Sequence, residues 1–391
     1  RKELTFKKIF LPELISHELF QYLLIEFLKP YVILKIIENN EIDIIFDFTN
    51  YSDFIKRNIY NTQIKHMDFT INNTSSLYHD KIKFTMHLAN IPIHLELSRN
   101  TFNKIKKLSQ KFINVIYNLQ PKINNKKNIL LVNFDPLEYE NLLIELNNQN
   151  TNFFLLNTRK PAITNKKSLN IIRKSNSKIL DINEFSKLIK QELLSTKNVQ
   201  HEISKIFNND VFFKKSFSIN GMSFWHSIKK SFKNICISRF NESIERILLL
   251  NKLFESYDVS TIFVWVDVGQ EEKECILVGR NFSIDSIMLQ HGRFQTSKIW
   301  DKFSKYLGQF PSALLSDKQI VWGEITKQYA LSHNHNQNDI IVGGSPRHDK
   351  FFNFTSKKSN SGIILLATTG TMFLSADSCV TSSQIKYDEY I

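Results

Sequence analysis

From residue 128 onward the apolar positions fall into short runs of four to seven residues separated by amphipathic stretches. Asn128–Phe134 (NILLVNF), Asn152–Leu156, Lys178–Ile182, Thr261–Val266 (TIFVWV), Ser286–Leu289 (SIML), Gln319–Trp322 (QIVW), Asp339–Val342 (DIIV) and Gly362–Ala367 (GIILLA) read as strands. Runs this short, apolar throughout and bounded by polar residues, suit strands buried on both faces. Between them Pro136–Asn148, Phe185–Phe207, Glu242–Ser256, Glu271–Gly279 and Ile325–Leu331 carry helical spacing. Strands alternating with helices predict an α/β fold on a mostly parallel sheet.

The first third is less regular. Leu11–Asn39 predicts two helices broken at Pro30, Ile42–Phe48 a strand, Lys83–Leu97 one or two strands and Asn103–Leu119 a basic amphipathic helix before the polar hinge Pro121–Lys127. This gives an N-terminal α/β segment (1–122), a Rossmann-like domain (123–316) and a second strand series (317–391). The last is too short for a doubly wound domain of ~100 residues, so it is expected to be the start of one that is cut off. Asn220–Trp225 (NGMSFW) is expected to be a loop entering a helix, its aromatics in the core.

Composition narrows the picture. With 42% hydrophobic and 23% charged residues in 391 the chain is globular rather than disordered. The net charge of +13 accompanies a general abundance of Lys, Asn and Ile, so it does not single out a nucleic-acid partner. Phosphorylated substrates or an anionic membrane surface remain compatible with it. The cysteines, Cys236, Cys275 and Cys379, form no CxxC pair, which points to a reducing, cytoplasmic setting, with peripheral contact at the inner face of a membrane as a variant. No run approaches the ~18 apolar residues of a membrane span.

Ligands of open α/β sheets bind beyond the carboxyl ends of the strands. Asp267 follows TIFVWV and is either a base, a partner orienting a histidine, or the N-cap of the next helix. Gln290-His291-Gly292 follows SIML. His291 is either placed to take a proton from an acceptor hydroxyl or packed at the strand end and hydrogen-bonded to backbone, and Gly292 is expected to permit a sharp turn there. Gly343-Gly344-Ser345-Pro346-Arg347-His348-Asp349 follows DIIV, with two glycines for close backbone approach and Arg347 as a charged fork for phosphate, or else in an ion pair with Asp349. Thr368-Thr369-Gly370 follows the last strand as a weaker phosphate cradle. No metal site is expected: His333 and His335 lack partnered ligands, and no Asp-x-Asp, Walker-type or GxGxxG motif is present.

The order His291-Gly292, then Val321-Trp322-Gly323, then Gly344-Ser345-Pro346-Arg347-His348-Asp349 resembles GT-B-type surface-polysaccharide enzymes, among them the CDP-glycerol glycerophosphotransferase-like proteins. The resemblance covers roughly Gly221 to Ala367. It implies a GT-B-like fold of two Rossmann-like domains and metal-independent transfer from a nucleotide-activated donor to a glycan or lipid-linked acceptor. No cofactor is implied beyond that co-substrate. His291 and Asp267 would be catalytic, Gln290 and Gly292 would lie on the acceptor side, and Gly343, Gly344, Ser345, Arg347, Thr368 and Thr369 on the donor side. A polyol-phosphate transferase using a CDP donor, a sugar-nucleotide epimerase and a non-catalytic scaffold share the architecture.

Overall fold

A computed structural model describes residues 2–40, 42, 44–47, 51, 54–56, 65–68, 81–88, 91–98, 101–102, 104–105, 108, 127–147, 151–159, 161–292, 315–349, 372–373 and 381–382. The chain divides into two compact units, one of residues 1–17, 100–200 and 239–354, the other of 18–99, 201–238 and 355–391.

The first unit is built on a seven-stranded, wholly parallel sheet. Its strands are β1 (Lys127–Val132), β2 (Thr151–Leu156), β3 (Lys178–Ile179), β4 (Thr261–Val264), β5 (Asp285–Leu289), β6 (Lys318–Val321) and β7 (Ile340–Val342). They lie in the order β7-β6-β5-β4-β1-β2-β3. The order reverses between β1 and β4, the switch point of a Rossmann-type sheet. The α/β class expected from the sequence is the class adopted.

The central strands are apolar on both faces: Leu130, Leu131 and Val132 of β1 and Phe153–Leu156 of β2 are all buried. At their amino ends a polar rung sets the register. Asn152 Nδ2 donates to Asn128 Oδ1 (2.9 Å), and Asn128 Nδ2 donates to the Asp258 carbonyl (2.6 Å). The helices are α1 (Glu140–Asn147), α2 (Lys166–Lys174), α3 (Trp225–Ser256), α4 (Gln270–Asn281) and α5 (Glu324–Ser332). Helix α2 starts where it does because Asn165 and Ser168 form a reciprocal capping box.

Several expectations need correction. Strands β6 and β7, read from the sequence as the opening of a second domain at residue 317, pair onto β5 and extend the same sheet. A βαβ repeat looks alike whether the next strand joins the existing sheet or starts another. Residues 18–99 group with 201–238 instead of forming a separate N-terminal part. Pro30 lies inside a single helix, Ser16–Asn39. The long helix expected over Phe185–Phe207 is three pieces, Ile182–Lys187 (3₁₀), Lys190–Ser195 and Lys197–Ile206. The Ser195 and Thr196 hydroxyls donate back to the Glu192 and Leu193 carbonyls at that break, competing with helix propagation.

In the second unit, Lys81–Leu88 and Ile91–Ser98 form a hairpin and Ile44–Asp47 pairs in parallel with Lys65–Asp68. A tight hairpin turns at Asn220 (φ 51°) and Gly221 (φ 81°). Phe224 and Trp225 behind it are fully buried, packed with Phe213, Phe217 and Phe232. The aromatics of NGMSFW are therefore core, as expected. No helix among the described residues is long and apolar enough to cross a membrane. The strand Gly362–Ala367, Thr368 and Thr369, and most of the helix expected over Asn103–Leu119 lie outside the described residues.

Candidate functional site

The carboxyl ends of β7, β6, β5, β4, β1 and β2 deliver in turn Gly343–Arg347, Trp322-Gly323, Gln290–Gly292, Trp265–Asp267, Asn133–Glu138 and Asn157–Arg159.

Gln290 is a structural latch. Its Oε1 accepts from the Trp322 backbone N–H (2.8 Å), its Nε2 donates to the Gly292 carbonyl (2.9 Å), and its own carbonyl accepts from Trp322 Nε1 (2.8 Å). That commits the side chain to joining the loops after β5 and β6. Gly292 has an ordinary φ and no neighbour among the described residues where a Cβ would go, so its backbone conformation does not demand glycine.

His291 is half-buried. Its ring meets Trp265 edge-to-face at 5.1 Å and hydrogen-bonds to the Trp265 backbone. Burial lowers its pKa below the ordinary histidine value. The hydrogen bond to Trp265 opposes the shift and the Arg347 charge adds to it. The net shift favours the neutral imidazole, with one ring nitrogen engaged by the Trp265 backbone.

Asp267 is held by the segment that enters β6. Its carboxylate accepts from the backbone N–H groups of Leu315 (2.5 Å) and Ser316 (3.0 Å), and the residue is buried. Burial raises its pKa, the two backbone donors pull it back, and Lys273 contributes in the same direction as the donors. Nor does Asp267 cap α4, whose N-cap is Gly269. Its side chain clamps the approach to β6.

The glycine-rich loop after β7 comes to the same edge. Gly343 permits close packing, since a Cβ there would lie 2.6 Å from Ile320 Cγ2, and Gly344 takes the left-handed conformation (φ +76°). Ser345 Oγ and His348 Nδ1 share a 2.7 Å hydrogen bond, with His348 edge-on to Trp322 at 4.8 Å. Arg347 Nη1 donates to the His291 carbonyl (3.0 Å) and Nη2 pairs with Glu138 at 3.0 Å. Two motifs 56 residues apart in sequence thus meet through one guanidinium.

At the switch point the sequence reading missed a dense ionic network. Asn133, left-handed at φ 58°, accepts from the Thr158 and Arg159 backbones and from the Thr158 hydroxyl. Its amide donates to Glu271 (3.3 Å) and Glu272 (2.9 Å). Fully buried Glu272 pairs with Arg159 at 2.5 Å, and Arg159 lies 5.8 Å from the Trp265 ring centre. Behind it Arg246 Nη1 is 3.0 Å from Glu274 and 3.2 Å from Glu271. Burial pushes Glu274 up to about 7, against the pull of Arg246 and of a 2.6 Å hydrogen bond from Ser243. The one cue in the sequence was the acidic run Glu271-Glu272 at the start of α4, which reads equally as ordinary helix-dipole compensation. No group of three or more His, Cys, Asp or Glu among the described residues is arranged to hold a metal ion.

Neither a protein-family model nor a curated protein matches the chain. Among solved structures it is similar to a UDP-GlcNAc 2-epimerase from Neisseria meningitidis bound to UDP-GlcNAc, with 12% identity over 58% of this chain and a TM-score of 0.33. A UDP-N-acetylglucosamine 2-epimerase from Rickettsia bellii matches at 10% identity over 58% of this chain, TM-score 0.30. The chain spans about half the length of these two, 48% and 47%.

Proposed function

We propose that the chain is a nucleotide-sugar-using enzyme and, within that class, a glycosyltransferase acting on a hydroxyl of a glycan acceptor. The observation that carries this reading is the meeting of His291 and Arg347 at the carboxyl edge of the sheet. In this reading the free nitrogen of the neutral His291 ring takes the acceptor proton as the acceptor oxygen bonds to the sugar's anomeric carbon. The bond from that carbon to the diphosphate breaks, and the nucleoside diphosphate leaves with the electron pair. The Arg347 field, the Ser345 hydroxyl and the amino end of α5 offset the charge that develops on it. Asp267 takes no part in proton transfer, because its carboxylate is already held by two backbone N–H groups.

Thermal-shift titration of the full-length protein with UDP-, GDP-, CDP- and CMP-linked donors tests the reading, since a ligand bound only by the folded state raises its stability. Selective stabilisation by a UDP- or GDP-sugar is expected. His291→Ala should bind that donor with little change while transfer falls by roughly 10²–10⁴-fold. Stabilisation by CDP-glycerol alone would replace sugar transfer by polyol-phosphate transfer. A folded protein that no donor stabilises would sink the reading.

A further inference from the structure

Strands β7 and β1 are four positions apart in the sheet, about 19 Å at the usual spacing. Yet Arg347, beyond β7, touches Glu138, beyond β1, and on its way donates to the carbonyl of His291 beyond β5. Glu138 is not a loose surface carboxylate. Its backbone N–H and that of Tyr139 both donate to the Asp135 carbonyl, and the Asp135 side chain accepts from Leu137 N–H (2.9 Å). Tyr139, next in sequence, is buried against Phe134 at 4.6 Å, its hydroxyl pushed up to about 12 chiefly by that burial. The turn therefore presents Glu138 from a rigid base. The Glu138 and Arg347 side chains remain 43% and 31% exposed, so the pair adds little stability. What it fixes is direction: one nitrogen of the fork is held by Glu138 and the other points at His291.

We propose that Glu138 is a positioning residue for His291, acting through Arg347, which it holds against the histidine's carbonyl so that ring and guanidinium keep a fixed relation. The proposal refines the base role given to His291 and rests on it for any effect on turnover. Its test is read without donor or acceptor, so the two can fail separately.

The measurement is an NMR titration of the His291 ring in the full-length chain, assigned with His291→Gln. Arg347→Gln removes a charge that depresses the His291 pKa, so its midpoint should rise. Glu138→Gln should raise it in the same direction, by roughly half a pH unit or more, because the released guanidinium swings into solvent. A purely electrostatic role for Glu138 predicts the opposite sign, since an Arg347 left in place without its counter-charge would depress the midpoint further. Arg347→Lys keeps the charge but cannot reach both partners and should behave like Glu138→Gln. In the double variant, Glu138→Gln with Arg347→Gln, no shift beyond that of Arg347→Gln alone is expected. A midpoint unchanged or lowered by Glu138→Gln, a wild-type midpoint in Arg347→Lys, or additive shifts in the double variant would each overturn the proposal.

Discussion

The carboxyl edge of the sheet has two halves that use polar side chains in different ways. Around the switch point between β1 and β4, where a dinucleotide fold places its ligand, the crevice is filled with the chain's own charges. Glu272 sits in the first turn of α4, gripped by Arg159 and Asn133, and Glu271 and Glu274 share Arg246. Over β5 to β7, His291 and Ser345 are half-buried and each has capacity left after its visible partner. Topology nominates the first half as the ligand site. Half-exposed groups with hydrogen-bonding capacity to spare nominate the second, while the first holds buried atoms that lack a hydrogen-bond partner among the described residues, Trp265 Nε1 and Glu274 Oε2.

The largest effect that separates the halves is expected from Arg159→Ala. It leaves Glu272 buried without its counter-charge, and breaking a buried pair costs about 3–5 kcal/mol. With Arg159 39% exposed the loss should fall near the low end, about 3 kcal/mol, read as a lower urea midpoint. If stability is unchanged, the switch-point network does not hold the fold, and its charges become candidates for ligand binding.

Glu274 gives the next effect, through pH. Its folded value of about 7 lies above the ordinary 4.5, so between those limits the unfolded chain releases a proton that the folded protein retains. Its contribution is fully present below pH 4.5 and is lost as pH rises towards 7, on the order of 3 kcal/mol in all. Glu274→Gln should flatten the stability profile over that window, measured by denaturation at fixed ionic strength. An unchanged slope would mean that Arg246 keeps Glu274 ionised throughout.

The open half was the more legible of the two in the sequence. His291 and Arg347 stood out because each follows an apolar strand, and the rule that ligands gather at strand ends does not depend on which strands are neighbours. That both end on one sheet was not legible, since the number of strands in a sheet is decided by which edge the next βαβ unit finds. Asp267 was ambiguous for a related reason. A carboxylate after a strand has the same signature whether it faces a crevice or clamps a backbone segment 48 residues later. Asn133, Arg159 and Glu138 gave no signal at all, because their roles exist only across strands β1, β2 and β7. Trp265, one residue past β4, was absorbed into the apolar run TIFVWV, although its ring lies between His291 and Arg159.

A smaller effect is expected within the open half itself. Gly343→Ala would press a methyl group against Ile320 and should cost about 1–2 kcal/mol through overpacking. Any displacement of the loop would be passed through Arg347 to His291, so the His291 titration should move as the melting temperature falls. A drop in melting temperature with an unmoved titration would uncouple the β7 loop from the base.

The smallest structural effect is the sharpest test of which half takes a ligand. Gly292 has no left-handed φ and, among the described residues, nothing within contact distance of an added Cβ, so Gly292→Ala should leave stability within about 0.5 kcal/mol of wild type. The added methyl group lies beside His291, in space that an acceptor approaching the base would have to share. If the crevice over β5 to β7 is the working one, acceptor KM should rise several-fold at an unaltered melting temperature and with unaltered donor stabilisation. Neither strain nor lost contacts among the described residues accompany the substitution, which argues against a structural explanation of that pattern. If acceptor KM, melting temperature and donor binding all stay at wild-type values, the space beside His291 is not where the acceptor lies, and the ionic crevice over β1 and β4 regains its claim.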